Sequence, residues 1–566
     1  MAEVVVEFNV PVRMRDGVTL RANVYRPVEG RHPVLLTRTP YGKDFPNAGL
    51  PLDPPQVARR GYVVALQDVR GRFASEGDWR PFAYESCDGA DSIAWASSLP
   101  YSDGRVATFG GSYVGFTQWA AAVGAPEALR AITPTFTWGD PLDGLVFRGG
   151  AFELGLGATW TLLLGLNGVA RRHAANPQQA ALATAAVVRE YDALALAGYA
   201  SLPLREFAPL ARHGLYEEIR EAFDHPMDRA VAGDLDVAAR RDRATAPAFL
   251  VGGWYDVFLG GTLDNYASLR KRGVPAKLLI GPWAHLQHGS RIGEAVFGFA
   301  SQAAFIDLRS DLGSLLVRWF DRWVKGVENG IDREPPVLIF VMGANRWRAE
   351  TEWPPARMLQ TSYYLRGDGG LSIERPGAEL PDEYEYDPRD PVPTLGGATL
   401  LAPEFAAGAF DQRPIEARRD VLSFTTAPLD RDLDLIGPVR LHLIAASSAP
   451  DTDFIGRLVD VHPDGYAQNL TDGIVRASYR DPEHPAPIEP GRAYEYVIDL
   501  WSTANRFLAG HRIRVDVTSS SFPRWDRNPN TGRPLGTDAE LRPARQSILH
   551  DSEHPSRIVL PIVPVA

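Results

Sequence analysis

The first 140 residues alternate between short apolar runs and helix-like stretches. Two opening strands are predicted to join at Asp16-Gly17, because this dipeptide tolerates the positive φ of a tight hairpin turn. The runs PVLLTRT and YVVALQD are rich in β-branched and aliphatic residues and predict buried central strands, whereas ESCDGADSIAWASS predicts a helix. Strands that alternate with helices predict a largely parallel sheet wrapped by helices.

This pattern changes twice further along the chain. Residues 142–243 are rich in Ala and Leu with little strand-like alternation, which predicts a helical insertion. Buried-strand runs return in residues 244–345, and residues 346–566 contain short strand-like runs separated by Gly, Pro and Asp. We therefore predict an α/β core in two parts, 1–141 and 244–345, a helical cap over 142–243, and a β-sandwich or jelly roll over 346–566.

Length, charge and cysteine content narrow the class of protein. The 566 residues favour two or three domains, and a formal net charge of −11 argues against nucleic acid or an anionic membrane as partner. A single cysteine, Cys87, excludes an internal disulfide and is expected to be a small buried hydrophobe. The sequence shows neither a secretion signal nor a long apolar segment, which favours a cytoplasmic protein.

The stretch VATFGGSYVGFTQW places Ser112 between a strand-like run and a helix-like run. A nucleophilic serine on an α/β sheet sits on a sharp turn from strand to helix. Because strand and helix pass closely there, a residue without a side chain is favoured two positions before the serine, and Gly110 satisfies this. The Tyr113 N–H, at the helix start, is then a natural donor to a developing oxyanion. Alternatively, the stretch is a glycine-rich turn with Ser112 as an ordinary N-cap. Val114 departs from the G-x-S-x-G pattern, since the glycine follows one position later, at Gly115.

Candidate partners for Ser112 follow two later strand-like runs. Asp256 comes after FLVGGWY and His285 after LLIGPWA, so serine, acid and histidine occur in the chain order expected of a triad on an α/β sheet. A histidine base predicts activity that falls in mild acid, when the imidazole becomes protonated. Asp264 and His288 are the alternatives, but Asp264 falls in a helix-like stretch and His288 lies further from its strand.

Motifs along essentially the whole chain resemble the cocaine-esterase-type (CocE/NonD) hydrolases, a family related to X-Pro dipeptidyl-peptidases. The motifs are MRDGVTL, TPYGK, QDVRGRFASEG, GGSYVGFTQW, GGWYDVF, GPWAH, DTDFIGRLVDVHPDG and SSSFPRWDRNPNTG. The family pattern G-x-S-Y-x-G accounts for the displaced glycine. The resemblance implies an α/β-hydrolase core with an inserted helical cap and a C-terminal β jelly roll, with the substrate pocket where these parts meet.

The resemblance also implies roles for individual residues. Ser112, Asp256 and His285 would be nucleophile, acid and base, and the Tyr41 hydroxyl in TPYGK would join the Tyr113 N–H in the oxyanion hole. 

Three further positions match residues that line the acyl pocket of such enzymes, namely Trp160, Phe258 and Leu401. The chain departs from the family at Ala402, where the cocaine-cleaving type carries a large aromatic residue, so we expect an acyl pocket of different width or shape.

These observations favour a serine carboxylesterase that acts on small-molecule esters with aromatic or bulky acyl groups. The alternatives are an X-Pro dipeptidyl-peptidase, an acylase or an α-amino-acid ester hydrolase, although the segments around Asp256 and His285 show no acidic cluster for a substrate ammonium. A non-catalytic binding protein on a hydrolase scaffold is the second alternative. The sequence implies neither a metal nor an organic cofactor, and family members can pair through sheet edges, so a homodimer is expected.

Overall fold

Ten strands form one central sheet, with contributions from both sides of the helical insertion. The structure, a computed structural model, describes residues 3–564. The strands lie in the order β1-β2-β4-β3-β5-β6-β9-β10-β13-β14, and the pairs from β3–β4 through β10–β13 are parallel. This arrangement confirms the predicted α/β-hydrolase core, because the parallel strands place all their carboxyl ends at one edge.

The first part of the core begins with the predicted hairpin, in which β1 and β2 are antiparallel around Asp16-Gly17. Its strands and helices are β1 (Val4–Arg13), β2 (Thr19–Pro27), β3 (His32–Thr39), α1 (Pro54–Arg59), β4 (Val63–Asp68), α2 (Glu85–Ser98), β5 (Ser102–Gly111), α3 (Tyr113–Ala122) and β6 (Leu129–Thr135). Strand β4 is buried along its whole length, as its apolar run predicts. Cys87 is exposed on α2, so the expectation that it is buried was wrong; the buried face of this helix is formed by other positions, among them Ile93 and Ala96.

The insertion is mostly helical and has its own hydrophobic core. Its elements are β7 (Phe147–Arg148), β8 (Ala151–Phe152), α4 (Leu154–Arg172), α5 (Pro177–Asp192), α6 (Ala208–Ala211), α7 (Glu217–Asp224) and α8 (Arg229–Ala232). Apolar side chains of α4 pack with those of the following helices and turns, among them Leu162, Val187 and Phe207. The cap therefore stands as a separate layer over the sheet.

The second part of the core adds the strands that carry the predicted acid and base. Its elements are β9 (Ala248–Tyr255), α9 (Leu259–Lys271), β10 (Ala276–Ala284), β11 (Arg291–Ile292), β12 (Ala295–Val296), α10 (Leu312–Trp323), β13 (Val337–Val341) and β14 (Arg346–Glu350). Strand β14 pairs antiparallel with β13, so the core sheet ends at Glu350 and not at the predicted boundary, residue 345. The loss of helical periodicity on which that boundary rests does not distinguish an edge strand of one sheet from the start of the next domain.

The C-terminal part consists of two antiparallel sheets, of seven and four strands. Its elements are β15 (Leu359–Leu365), β16 (Leu371–Ser372), β17 (Asp382–Tyr386), α11 (Arg413–Glu416), β18 (Leu422–Thr425), β19 (Leu433–Ser447), β20 (Asp453–Val461), β21 (Ala467–Arg476), β22 (Tyr494–Phe507), β23 (Arg512–Thr518), β24 (Ala544–Leu549) and β25 (Arg557–Val563). The predicted jelly roll is thereby confirmed.

A buried arginine joins the cap to this C-terminal domain. Arg148 on β7 is 2% exposed, lies with its guanidinium 3.6 Å from the ring centre of Trp501, and donates hydrogen bonds to the carbonyls of Asp472 and Asp499. Such a desolvated cation over an aromatic face is a strong contact. The contact therefore holds the cap against the C-terminal domain. Within the part of the chain that the structure describes, none of the helices has the length and apolar character needed to span a membrane.

Candidate active site

Ser112 lies on a strained turn between β5 and α3. Its backbone has φ 61° and ψ −128°, in a region that residues with a side chain rarely adopt. The turn is held by hydrogen bonds from the Ser112 N–H to the carbonyl of Thr135 and from the Thr137 hydroxyl to the carbonyl of Ser112, at 3.0 and 2.9 Å. The serine side chain therefore stands at the carboxyl edge of the sheet, at the start of a helix.

Close packing explains the glycines around the serine. Gly110 has φ +127°, and a Cβ added there would lie 2.3 Å from Val114 Cγ1. A Cβ on Gly115 would lie 2.7 Å from Thr137 Cβ, so the helix approaches the next strand at Gly115 and not at position 114. The displaced glycine thus satisfies the same steric need as the usual motif, and Val114 fills the space beside Gly110.

Asp256 and His285 lie side by side at the ends of adjacent strands β9 and β10. The Nδ1 atom of His285 is 2.7 Å from Oδ1 of Asp256. Asp256 is fully buried and His285 is 6% exposed. A buried carboxylate at this distance fixes the imidazole ring and stabilises its protonated form, and it leaves Nε2 as the nitrogen that can take a proton.

Phe136 connects the serine turn with the histidine. It lies between Thr135 and Thr137, the two residues that bond to the Ser112 backbone, and its ring centre is 6.4 Å from that of His285. Among the hydrogen bonds of residues 3–564, none joins the Ser112 hydroxyl to His285 Nε2. Catalytic hydrogen bonds of this kind often form only once substrate is bound.

The two alternative residues lie in other surroundings. Asp264 is exposed on helix α9, whereas Asp256 contacts the histidine. His288 stacks on Phe136, with 4.6 Å between ring centres. Burial, together with the nearby His285, lowers the pKa of His288 to about 4, so its ring stays neutral at ordinary pH. These surroundings favour His285 and Asp256 over His288 and Asp264.

Two donors converge on the region beside the Ser112 hydroxyl. The Tyr41 hydroxyl is within hydrogen-bonding reach of the Ser112 side chain and of the Tyr113 N–H, and burial raises the pKa of Tyr41 above its ordinary value. The phenol therefore stays protonated and able to donate. A Tyr O–H and a backbone N–H at the start of a helix form the kind of pair that stabilises a tetrahedral oxyanion.

The side chain of Tyr113 has a separate role, which the sequence did not reveal. Its hydroxyl donates to the carboxylate of Glu85 at 2.7 Å and accepts the N–H of Phe82 at 3.0 Å. Glu85 is buried and forms an ion pair of 2.7 Å with Arg38. Tyr113 thus ties the first turn of α3 to the loop that carries Phe82.

A cavity of about 840 Å³ opens above Ser112 between the core and the cap. Both Trp160 and Phe258 line it, as the family resemblance implied, and Phe82 and Trp138 add two aromatic rings that the sequence analysis missed. Phe82 lies parallel to Trp160, with an interplanar angle of 11° and ring centres 5.5 Å apart. Nothing in the sequence around Phe82 marks it as a cavity residue, because its position depends on the hydrogen bond from its N–H to the Tyr113 hydroxyl.

The structure differs from the expectation at Leu401 and Ala402. Leu400 lines the cavity, whereas Leu401 packs on Gly155 of α4, where an added Cβ would lie within 1.7 Å of the leucine side chain. Ala402 is 1% exposed in the core of the cap, and its N–H donates to the hydroxyl of Tyr199. The small residue at 402 therefore changes the packing of the cap and not the cavity wall.

The outer part of the cavity carries five carboxylates from the cap, although the sequence segments around Asp256 and His285 contain no acidic cluster. They are Glu217, Glu221, Asp224, Asp228 and Asp234. Three of the five are in ion pairs with arginines: Arg220 lies 3.0 Å from Glu217 and 3.6 Å from Asp224, and Arg240 lies 2.5 Å from Asp234. Their charge is thus largely compensated within the cap.

Among residues 3–564, one group of side chains could hold a metal ion, and it lies in the jelly roll. Asp460, His462 and His511 have ligand atoms within 4.8 Å of one another. The Asp460 carboxylate is already bonded to His511 Nδ1 at 2.8 Å and to the Asn505 amide at 3.0 Å, so it is satisfied without a metal. The sequence analysis did not find this group, because His462 follows strand β20 whereas His511 comes 49 residues later, just before β23.

Comparison with known families matches both parts of the chain. Residues 16–287 match the X-Pro dipeptidyl-peptidase (S15 family) model, and residues 329–559 match that of the X-Pro dipeptidyl-peptidase C-terminal non-catalytic domain. Residues 288–328 separate the two matches, and the second begins just before β13, so it includes the last two strands of the core sheet.

Individual proteins are similar over almost their whole length. The chain is 39% identical to cocaine esterase of Rhodococcus sp. (strain MB1 Bresler), with 98% of each protein covered. Among solved structures, an aminopeptidase from a marine sediment archaeon (Thaumarchaeota archaeon) has a TM-score of 0.82 at 27% identity and covers 100% of this chain and 97% of its own. An α-amino acid ester hydrolase also has a TM-score of 0.82, at 26% identity, with 99% and 97% covered.

We predict that Gly110→Ala disrupts the serine turn. Because the alanine would need a φ near +127° and its Cβ would clash with Val114, the variant should lose about 2–4 kcal/mol of stability and most of its hydrolytic activity. Gly168→Ala is the matched control, since a Cβ there meets no atom within 4 Å and the residue lies inside helix α4. Thermal melting and turnover of a chromogenic ester measure both effects; equal melting temperatures for the two variants would contradict this account of the turn.

His288 should make the protein sensitive to acid. Its folded pKa of about 4 lies below the ordinary value of 6.5, so the unfolded chain binds a proton first and stability is lost as pH falls from 6.5 towards 4. His288→Phe keeps an aromatic ring on Phe136 and removes this titration. Between about pH 7 and pH 5 the wild type should lose about 2 kcal/mol more than the variant. Denaturant unfolding at both pH values measures the difference, and parallel losses would show that His288 titrates normally.

Proposed function

Because this chain belongs to the cocaine-esterase-type (CocE/NonD) family of serine hydrolases, we propose that it hydrolyses carboxylic esters through an acyl-enzyme on Ser112. The chain is a serine ester hydrolase by its family, and the proposal concerns the residues and the substrate class. The observation that carries it is the meeting of the Ser112 hydroxyl with the Tyr41 hydroxyl and the Tyr113 N–H beneath a cavity, beside a histidine bonded to a buried carboxylate.

In the acylation step the Ser112 oxygen attacks the ester carbonyl carbon while His285 Nε2 takes the serine proton. The carbonyl oxygen becomes an oxyanion, which accepts hydrogen bonds from Tyr41 and the Tyr113 N–H. Asp256 keeps the imidazole in place and stabilises its positive charge. When the carbon–oxygen bond to the alcohol breaks, His285 returns the proton to the departing alkoxide, and the acyl group stays on Ser112.

Deacylation repeats these steps with water. His285 removes a proton from a water molecule, the hydroxide oxygen attacks the acyl carbonyl, and the same two donors hold the second oxyanion. Collapse of this intermediate breaks the bond to Ser112, which recovers its proton from His285, and the carboxylic acid leaves. The products are one alcohol and one acid for each water consumed.

The cavity wall supports a preference for aromatic or bulky acyl groups. Four rings, those of Phe82, Trp138, Trp160 and Phe258, surround the space next to Ser112, with Leu400 on the jelly-roll side. Flat apolar surfaces of this kind bury an aromatic acyl group and stack against its ring. The proposed substrates are therefore small esters of aromatic or bulky acids.

We predict that Ser112→Ala abolishes hydrolysis of p-nitrophenyl esters. The loss in kcat should be about 10⁴-fold or more, because the nucleophile is absent while the fold and the cavity persist. His285→Asn should cause a comparable loss, whereas His288→Phe should retain most activity because the His288 ring packs on Phe136 and Trp283 and is not assigned a proton-transfer role. Steady-state rates of the three purified variants test this. Retained turnover in the Ser112→Ala variant, or a loss with His288→Phe equal to that with His285→Asn, would refute the assignment.

An ester or amide hydrolase that reads a free α-amino group is the second candidate function. The observation that favours it is the set of cap carboxylates at the outer cavity, of which Glu221 and Asp228 make no ion pair with other residues in 3–564. The aminopeptidase and the α-amino acid ester hydrolase with the same fold are proteins named for this chemistry. The short distance from Arg220 and Arg240 to the other carboxylates weighs against it.

Paired substrates separate the two candidates. We expect p-nitrophenyl esters of N-acetyl-phenylalanine to be hydrolysed at least as fast as those of phenylalanine with a free amine, because the acidic side chains are mostly compensated. The ratio of the two kcat/KM values measures the preference. A preference for the free amine of about 10-fold or more, lost in the Asp228→Asn variant, would reverse the ranking.

A further inference from the structure

The indole of Trp160 contacts the proposed oxyanion donor directly. Its Nε1–H donates a hydrogen bond to the phenol oxygen of Tyr41 at 3.3 Å. This bond joins helix α4 of the cap to the loop after β3 of the core, so the two domains share one polar contact inside the cavity.

The bond constrains where the Tyr41 proton can point. A phenol carries one proton and accepts through its oxygen. The Tyr41 oxygen accepts a hydrogen bond from the Trp160 N–H, and the Tyr113 N–H also lies within reach of this oxygen. With donors on these sides, the hydroxyl hydrogen is left to point at an acceptor on the remaining side, where the Ser112 side chain lies within reach.

We propose that Trp160 is a positioning residue for catalysis: its Nε1–H holds the Tyr41 phenol so that the phenol donates to the substrate oxyanion. This role differs from lining the acyl pocket, which needs only the flat ring. It rests on the proposed function, because it requires the Tyr41 hydroxyl to act in the oxyanion hole.

The surroundings of Trp160 fix its orientation. The indole lies parallel to the ring of Phe82 and also faces Tyr113, with ring centres 5.5 and 6.1 Å apart. Arg72, 1% exposed, donates to the carbonyl of Pro40 at 3.0 Å and to the carbonyl of Leu164 at 2.9 Å. One buried guanidinium therefore holds both the residue before Tyr41 and the turn of α4 after Trp160.

Trp138 provides a matched comparison in the same cavity. Its ring also lines the wall and packs on Phe116 and Phe258. Within residues 3–564 its Nε1 atom is buried without a hydrogen-bond partner. Replacement of each tryptophan by phenylalanine removes similar aromatic area, but only Trp160→Phe removes a bond to Tyr41.

The experiment uses p-nitrophenyl acetate, whose small acyl group needs little of the aromatic wall. We expect Trp160→Phe to lower kcat about 3- to 10-fold, less than the roughly 10²-fold loss for removal of one oxyanion donor in Tyr41→Phe. Trp138→Phe, which trims the same wall without removing a bond to Tyr41, should lower kcat by a smaller factor than Trp160→Phe does. Equal losses for the two tryptophan variants would overturn the proposal, since both would then reflect packing.

A double-mutant cycle between Trp160 and Tyr41 distinguishes positioning from a merely structural role, because only positioning couples the effects of the two substitutions on kcat. In the Tyr41→Phe background, which lacks the hydroxyl, Trp160→Phe should change kcat less than about 2-fold. The same factor in both backgrounds would mean that the indole acts independently of the hydroxyl and would overturn the proposal. If the phenylalanine variant fails to fold, Trp160→His, which keeps a ring N–H, is compared with Trp160→Leu. The histidine variant should have the higher kcat, and equal rates would also overturn the proposal.

The outcome is separable from a failure of the proposed function. If Ser112→Ala retained turnover, the acyl-enzyme proposal would fail whatever the tryptophan variants did. If Ser112→Ala is inactive and the cycle between Trp160 and Tyr41 is additive, only the positioning role fails.

Discussion

The turn at Ser112 is the constraint on which the rest of the site depends. A serine held at φ 61° is costly, and the turn persists because Gly110 and Gly115 let helix α3 lie against its neighbours while Thr135 and Thr137 bond the serine backbone. This geometry points the hydroxyl out of the sheet and presents the following N–H in the same direction. The order of the strands then brings Asp256 and His285, the proposed acid and base, to that edge.

The cap completes the site and does more than cover it. Trp160 lines the cavity and donates a hydrogen bond to Tyr41, so in the proposed mechanism acyl binding and oxyanion geometry share one side chain. Arg72 and Arg148 hold the cap to the core and to the jelly roll through buried carbonyl contacts. A mutation in the cap can therefore affect hydrolysis in two ways: by changing the shape of the cavity, and by shifting the Tyr41 hydroxyl beside Ser112.

Periodicity and chain order were enough to predict the core sheet, the cap, and the placement of Ser112, Asp256 and His285 at strand ends. They could not reveal Phe82, whose place in the cavity depends on its N–H bonding to a phenol 31 residues later in the chain. Leu401 shows the same limit, because neighbouring side chains in a loop face opposite ways and only the packing on Gly155 decides which. The hydrophobic pattern thus predicts strands and helices, whereas the side-chain orientations in loops depend on contacts with residues distant in sequence.

The most direct test of the account is a crystal structure of the protein soaked with phenylboronic acid, whose tetrahedral adduct imitates the acylation intermediate. We expect boron bonded to Ser112 Oγ, one boronate oxygen about 2.7–3.1 Å from both the Tyr41 hydroxyl and the Tyr113 nitrogen, and a second near His285 Nε2. The phenyl ring should lie among the four aromatic side chains of the cavity. A boronate oxygen turned away from Tyr41, or an adduct that leaves His285 out of reach, would contradict the proposed chemistry.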